Sequence, residues 1–179
     1  MEVNLCRVAE ASGSLAKQST DQIWTLETLQ ATQDLGAHLG DQLEGGSLLL
    51  LKGPLGAGKT SLVQGLAKAF GIQEPITSPT FALAHHYPQG SPPLIHLDLY
   101  RLEHPEAAND LFLQEEEEAL ALGAVMAIEW PERLSTNLPE AWLLQLNHHK
   151  DGGRIAHLNA PNENALTGQY HQHIVQHQH

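Results

Sequence analysis

The sequence lacks several features that whole classes of protein require. Its 179 residues contain a single cysteine, Cys6, so no internal disulfide can form, and this fits a reducing compartment. No apolar run approaches the roughly 20 residues that cross a bilayer. The first 20 residues contain no apolar segment of the kind found in secretion signals. From these absences we expect a cytoplasmic protein without a membrane segment.

Basic residues are also scarce. Nine Lys and Arg stand against 21 Asp and Glu, which gives a formal net charge of −12. A protein that binds nucleic acid directly usually carries a basic patch. We therefore expect that any role of this chain in a nucleic-acid pathway depends on protein partners. The four arginines also argue against a small-molecule kinase, because such enzymes bring several arginines to the phosphates and close a lid over them.

One motif stands out from the rest of the chain. Residues 53–60 read Gly-Pro-Leu-Gly-Ala-Gly-Lys-Thr and match the phosphate-loop pattern G-x-x-x-x-G-K-[ST] without mismatch. The apolar run 48–51 before it predicts a buried strand, and 61–70 after it predict a helix. In this setting loop amides and the helix N-terminus hold phosphate, Lys59 reaches the β- and γ-phosphates, and Thr60 ligates Mg²⁺. The alternative is a glycine-rich turn before an ordinary helix.

Two later strands are predicted to deliver carboxylates. Residues 94–100 and 124–128 read as apolar strands, with Asp98 near the end of one and Glu129 directly after the other. Ligands of open α/β sheets lie beyond the carboxyl ends of such strands. An acid placed there can hold Mg²⁺ or orient the attacking water. The alternatives are that Asp98 caps the next turn or pairs with Arg101, and that Glu129 is a surface acid.

Three further features stay open at this point. Residues 77–80 offer three hydroxyl groups in a loop with prolines, and they either sense a γ-phosphate or form a structural turn. Trp130 either stacks near the site or packs in the core. Arg154 follows the predicted hairpin turn 150–153 and meets the nucleotide, an acidic partner or only solvent.

The remaining elements follow from periodicity and capping. Thr28 is a predicted N-cap, and an apolar stripe from there to Leu43 predicts a helix that ends at 45–46. Residues 105–120 predict another helix, in which 115–118 form a run of four glutamates. We interpret that run as a solvated face, with a docking surface as the alternative. Further strands are predicted at 22–26, 82–87, 141–147 and 154–160.

Together these elements predict an α/β fold of the P-loop NTPase type. We expect a mainly parallel central sheet flanked by helices, with antiparallel hairpin additions. The folded domain would span 21–160. Residues 1–20 are expected to be a variable or disordered extension, and 161–179 a low-complexity tail rich in His and Gln.

The set of motifs resembles the TsaE family, also called YjeE. The phosphate loop alone is shared by many families, but three other stretches are more specific. They are Ser-Pro-Thr-Phe at 78–81, His-Leu-Asp-Leu-Tyr-Arg at 96–101 and Ile-Glu-Trp-Pro-Glu at 128–132. Their order and spacing agree with the family, and the resemblance covers roughly residues 22–160.

This resemblance implies a protein that binds and hydrolyses ATP with Mg²⁺. The metal would be held by Thr60 and Glu129, with Asp98 in the Walker B role. Asp98, Lys59 and Thr80 would be the catalytic residues, and 78–80 would act as a switch near the γ-phosphate. The implied nucleotide contacts are Leu29, Gln30, Gly56, Ala57, Gly58, Lys59, Thr60, Ser61, Asp98, Trp130 and Arg154.

The resemblance also implies partners. These would be TsaB and TsaD, the pair that attaches the threonylcarbamoyl group to adenosine 37 of certain tRNAs, so that this chain meets tRNA only indirectly. It would support turnover of that complex rather than perform the transfer. Two other functions remain alternatives: a small-molecule P-loop kinase, and a non-catalytic scaffold that uses ATP only as a conformational ligand.

Overall fold

The computed structural model describes residues 21–161, so the predicted extension 1–20 and all but the first residue of the predicted tail lie outside the described residues. Within this part the chain forms seven strands, three α-helices and one 3₁₀ turn. The strands are β1 (Asp21–Leu26), β2 (Leu48–Lys52), β3 (Ala84–Tyr87), β4 (Leu94–Asp98), β5 (Val125–Glu129), β6 (Trp142–His148) and β7 (Arg154–Asn159). The helices are α1 (Leu29–Gly40), α2 (Lys59–Ala69) and α3 (Pro105–Leu122), and the 3₁₀ turn is η1 (Pro131–Arg133).

The strands form one sheet in the order β1-β7-β6-β2-β5-β4-β3. The central pairs β6–β2, β2–β5 and β5–β4 are parallel, whereas β1–β7, β7–β6 and β4–β3 are antiparallel. The expected mainly parallel sheet with hairpin additions is therefore confirmed. Two strand bounds differ from the prediction by two residues, because β3 begins at Ala84 rather than 82 and β4 ends at Asp98 rather than 100, and every other strand bound agrees within one residue.

Helices cover the sheet on both faces. The α1 and α2 side chains pack on one face, in a cluster that includes Leu39, Leu49 and Leu66. On the other face α3 packs through Phe112 against β4 and β5. Both of these strands are buried along their whole length, as expected for central parallel strands. Among the helices of residues 21–161, none is both long and apolar enough to span a bilayer.

The start of α1 is predicted correctly, but its end is not. The Thr28 side chain accepts a hydrogen bond from the Ala31 backbone N–H at 3.0 Å, which confirms the N-cap. The helix ends at Gly40 rather than at 45–46. Beyond it the Gln42 N–H donates to the Leu39 carbonyl at 2.9 Å, a tighter three-residue turn. Leu43 is buried beyond this end, and its N–H still donates to the Leu39 carbonyl at 3.0 Å, so the apolar stripe continues for one turn past the last helical residue.

The glutamate run on α3 is not a uniform solvated face. Glu117 and Glu118 are exposed, but Glu115 is buried and its carboxylate meets the His86 Nε2 of β3 at 2.5 Å. Glu115 lies on the stripe of α3 that faces the sheet, at helical spacing from the buried Phe112 and Ala119. The predicted solvated face is therefore wrong at this position, because helical periodicity places it on the inner side.

Candidate nucleotide site

The loop 53–60 joins the carboxyl end of β2 to the start of α2. Gly53, Gly56 and Gly58 have φ values of 143°, 76° and 103°, a region that side chains rarely adopt. Gly58 is the N-cap of α2, and no side chain caps the helix there. The N–H groups of the first turn are therefore open to an anion, where the helix dipole also favours negative charge.

The two predicted metal ligands meet beside this loop. Thr60 Oγ1 donates a hydrogen bond to Glu129 Oε1 at 2.8 Å. Register explains the contact, because Leu51 of β2 pairs with Glu129 of β5 and so brings the carboxylate next to the loop. A hydroxyl and a carboxylate are the hard oxygen donors that Mg²⁺ prefers, so this pair fits a divalent cation.

Asp98 lies next to Glu129 in the sheet, as the two parallel strand ends predict. Its Oδ2 accepts hydrogen bonds from the hydroxyls of Ser78, at 2.9 Å, and Thr80. Its Oδ1 accepts the Tyr100 N–H at 3.0 Å, so the alternative of a turn cap also holds. The carboxylate thus joins the 78–80 segment to the sheet, and its metal and catalytic roles stay predictions.

Arg101 does not pair with Asp98. Its guanidinium lies over the ring of Phe81, 4.5 Å from the centroid, and Phe81 itself is 85% exposed. The alternative that Asp98 serves mainly as an ion-pair partner of Arg101 is therefore wrong. The Asp98 carboxylate instead accepts hydrogen bonds from the two hydroxyls of the 78–80 segment and from the Tyr100 N–H.

Lys59 is buried against its own loop. Its Nζ donates to the carbonyls of Gly53, at 2.7 Å, and Pro54, at 3.0 Å, and lies 4.1 Å from the ring centroid of Trp130. Burial lowers the pKa of Lys59, although the carboxylates of Glu129, Glu132 and Asp98 act to raise it. An ammonium ion that has lost water in this way is stabilised by an anionic ligand.

Trp130 and Arg154 both lie beside the loop, and their predicted contacts with nucleotide stay predictions. Trp130 lies at the site, with its ring against Lys59 and 4.9 Å from the Tyr100 ring. Arg154, the first residue of β7, donates through Nε to the Ala57 carbonyl at 3.1 Å and through Nη2 to the Gly56 carbonyl at 3.3 Å. Arg154 of the β6–β7 hairpin therefore stabilises the phosphate loop by two hydrogen bonds, an interaction that we call the brace.

The early helix lies against the loop at Thr32, and the nucleotide contacts of Leu29 and Gln30 stay predictions. Leu29 is 58% exposed, and the Gln30 amide donates to Asp34 on the same helix at 2.9 Å. Thr32 is instead fully buried, and its methyl group would lie 3.4 Å from a Cβ at Gly58. Ser61 follows Thr60 in the first turn of α2 and is half-buried. The sequence prediction missed Thr32, although it falls one turn after the N-cap.

A second residue of the site was also missed. His96 is fully buried on β4, and its Nε2 lies 3.0 Å from Glu129 Oε1. Its position two residues before Asp98 puts both side chains on the same face of the strand. Strand alternation predicts that His96 shares a face with Asp98, but it does not indicate the contact with Glu129, which depends on the neighbouring strand.

The chain is similar to known proteins in sequence and in fold. Residues 26–156 match the family described as "Threonylcarbamoyl adenosine biosynthesis protein TsaE". A protein named tRNA threonylcarbamoyladenosine biosynthesis protein TsaE from Nostoc sp. is 45% identical over 131 residues, which cover 72% of this chain and 80% of that protein. A protein of the same name from Treponema pallidum is 44% identical over 126 residues, covering 70% and 90% of the two chains.

Fold similarity extends to a solved structure. The crystal structure of Bacillus subtilis YdiB superposes with a TM-score of 0.65 over 83% of this chain and 91% of that one, at 24% identity. The shared architecture is the P-loop NTPase fold, with a sheet that is parallel at its centre and flanked by helices. From the matched family and the similar relatives, the chain belongs to the TsaE family of threonylcarbamoyladenosine biosynthesis proteins.

Proposed function

We propose that the chain binds ATP with Mg²⁺ and hydrolyses its γ-phosphate. The observation that carries the proposal is the hydrogen bond between Thr60 and Glu129, made at the open N-terminus of α2 with the buried Lys59 alongside. An ammonium, a helix N-terminus and two hard oxygen donors converge there. Triphosphate and a divalent cation together satisfy all of them.

The proposed roles divide between the loop and the strand ends. Backbone amides of 56–61 hold the phosphates, and Lys59 neutralises charge that develops on the transferred group. Thr60 and Glu129 hold Mg²⁺, which supplies charge neutralisation at the β- and γ-phosphate oxygens. Asp98 orients the attacking water in line with the bond between the γ-phosphorus and the ADP oxygen, which breaks as ADP leaves, or assists at the metal.

The contacts of Asp98 support slow hydrolysis by the isolated chain. Both of its oxygens are engaged, one by Thr80 and Ser78 and the other by the Tyr100 amide. With three hydrogen bonds already accepted, the carboxylate has little capacity left to orient water. Reordering of the 78–80 segment, by a γ-phosphate or by a partner, would release it.

The nucleotide proposal is tested by measuring ATP affinity calorimetrically in Lys59→Ala. Charged hydrogen bonds contribute about 1.5–3 kcal/mol each, so we expect affinity to fall by at least about tenfold. Lys52→Ala is the matched control, because Lys52 ends β2, the strand that leads into the loop, and lines a cavity beside Leu50 and Leu143. Equal ATP affinity of Lys59→Ala and the wild type would refute the site.

We further propose that the chain supports TsaB and TsaD in the modification of adenosine 37 in tRNA, in the cytoplasm. Membership of the TsaE family and the names of the relatives support this pathway. The net charge of −12 supports contact with tRNA through partners rather than directly. The test is co-purification with TsaB and TsaD with and without ATP. We expect ATP-dependent association, and no association in either state would refute the partner assignment.

Hydrolysis is separated from a purely conformational use of ATP by a single-turnover measurement with TsaB and TsaD present. Release of phosphate is expected. Stable association without any phosphate release would instead favour the scaffold alternative.

A further inference from the structure

His96 is the most deeply buried ionisable residue that the proposed chemistry does not use. Its exposed fraction is 0%, and its Nε2 lies 3.0 Å from Glu129 Oε1. The other ring nitrogen, Nδ1, is buried and has no hydrogen-bond partner among residues 21–161. An imidazole with one satisfied and one unsatisfied nitrogen therefore lies directly behind a predicted metal ligand.

The contact fixes where the ring proton lies. An ionised carboxylate only accepts hydrogen bonds, so Nε2 carries a proton and donates it to Glu129, and in the neutral ring Nδ1 is then the nitrogen with the lone pair. A buried acceptor without a partner destabilises the fold, because its desolvation is not repaid. An apolar side chain at this position would avoid that cost. The presence of histidine is therefore explained by what its Nε2–H does for Glu129.

That hydrogen bond controls the orientation of the Glu129 carboxylate. Both of its hydrogen bonds, from Thr60 and from His96, end on Oε1. Within the described part of the chain no hydrogen bond reaches Oε2. Two donors on one oxygen fix the rotation of the carboxylate and leave the second oxygen for a cation.

We propose that His96 is a positioning residue that holds Glu129 in the orientation in which Glu129 and Thr60 bind a divalent cation together. This inference rests on the proposed function, because it assumes that the pair holds a metal. Partners that orient metal ligands typically change metal affinity by about 10- to 100-fold when they are removed. His96 acts on the metal through Glu129, without touching it.

The test uses Mn²⁺ as the probe, bound with ATP and measured by electron paramagnetic resonance. His96→Leu removes the donor, and His96→Gln keeps an N–H donor at similar reach. We expect Mn²⁺ affinity to fall about 10- to 100-fold in His96→Leu and to stay within about threefold of the wild type in His96→Gln. His85→Leu is the matched control, because His85 pairs with His96 in the neighbouring strand β3.

A second readout separates orientation of the metal ligand from general damage. ATP affinity measured in excess EDTA should change by less than about twofold in all three variants, because the phosphate loop is untouched. Wild-type Mn²⁺ affinity in His96→Leu would overturn the inference while leaving the proposed function intact. Equal losses in His96→Leu and His96→Gln would also overturn it, because shape rather than the donor would then matter. A wild-type protein that binds no Mn²⁺ with ATP would refute the proposed function itself.

A measurement on the wild-type protein decides the matter if His96→Leu fails to fold. Long-range ¹H–¹⁵N NMR of the histidine rings reports which nitrogen carries the proton. We expect the Nε2–H tautomer for His96, with a resonance that moves in Glu129→Gln. The Nδ1–H tautomer would overturn the inference.

Discussion

Replacing Arg154 by methionine removes the brace between β7 and the phosphate loop. Two hydrogen bonds are lost, from Nε to the Ala57 carbonyl at 3.1 Å and from Nη2 to the Gly56 carbonyl at 3.3 Å. Methionine keeps much of the aliphatic stem, so the change falls mainly on these bonds. The loop must then be ordered by the ligand itself, and that cost is subtracted from the free energy of binding.

The size of the effect follows from the geometry. A hydrogen bond to a charged group contributes about 1.5–3 kcal/mol, but Arg154 is only half-buried and its second bond is long. We count only the shorter hydrogen bond and reduce its contribution because Arg154 is partly exposed. The expected loss of binding free energy is then about 1–2 kcal/mol. Because about 1.4 kcal/mol corresponds to a factor of ten, ATP affinity should fall about 5- to 30-fold.

Titration calorimetry with ATP and Mg²⁺ measures this change directly. Lys150→Met is the control, because it removes one positive charge from the exposed turn of the same hairpin without touching the loop. Amide exchange in the nucleotide-free protein separates bracing from direct contact, since a lost brace speeds exchange at Ala57 and Gly58 before any ligand is present. An Arg154→Met protein with wild-type affinity and wild-type exchange would refute the reasoning.

Three other predictions concern charge, packing and a buried pair. Burial lowers the pKa of Lys59 in the free protein, and bound phosphate would raise it, so ATP affinity should fall as pH rises from the lowered pKa towards 10.5. Calorimetry in buffers of different ionisation enthalpy should show that ATP binding takes up protons in this pH range. Binding without proton uptake would contradict the predicted change in pKa. Gly65→Ala would place a Cβ 1.8 Å from the Gln33 carbonyl oxygen and so push α1 away from α2. Urea unfolding should therefore show a free energy of unfolding that is lower by about 2–3 kcal/mol. An unchanged free energy of unfolding would contradict the close packing of the two helices. His86→Ala should lower the free energy of unfolding by about 1–3 kcal/mol, because it leaves the Glu115 carboxylate buried and unpaired. The double variant His86→Ala/Glu115→Leu should regain most of that stability. If the losses of the two single variants simply add in this double-mutant cycle, the pairing is contradicted.

The parts of the site that the sequence predicted are those that depend on contiguous residues or on strand ends. The loop 53–60 forms from eight consecutive residues, and its glycines take the backbone conformations that the pattern requires. Asp98 and Glu129 are 31 positions apart, yet they meet because each ends a buried parallel strand and such ends share one edge. Local patterns were therefore sufficient for the fold class and for the two acids.

The parts that the sequence did not predict depend on sheet order and side-chain rotation. Arg154 reaches the loop only because β6 lies next to β2 and so brings the β6–β7 hairpin beside it, a placement that no local pattern encodes. The contact of His96 with Glu129 requires the register between β4 and β5 as well. Glu115 differs, since helical spacing from Phe112 already placed it on the inner face and only its charge suggested otherwise.

The charged groups of the free site are already engaged by the chain itself, and this shapes how the site must respond to a ligand. Lys59 is held by two loop carbonyls and the Trp130 ring, and Asp98 is held by the Thr80 and Ser78 hydroxyls. A triphosphate would take the open N–H groups of the first turn of α2, but at Lys59 it would replace contacts that already exist, so the gain in free energy there would be the difference between two sets of contacts. The two exchanges are also separate. On the proposed function, Lys59 would turn to phosphate within the loop, whereas Asp98 would be released only when 78–80 moves, so binding would be complete before the acid becomes available for hydrolysis.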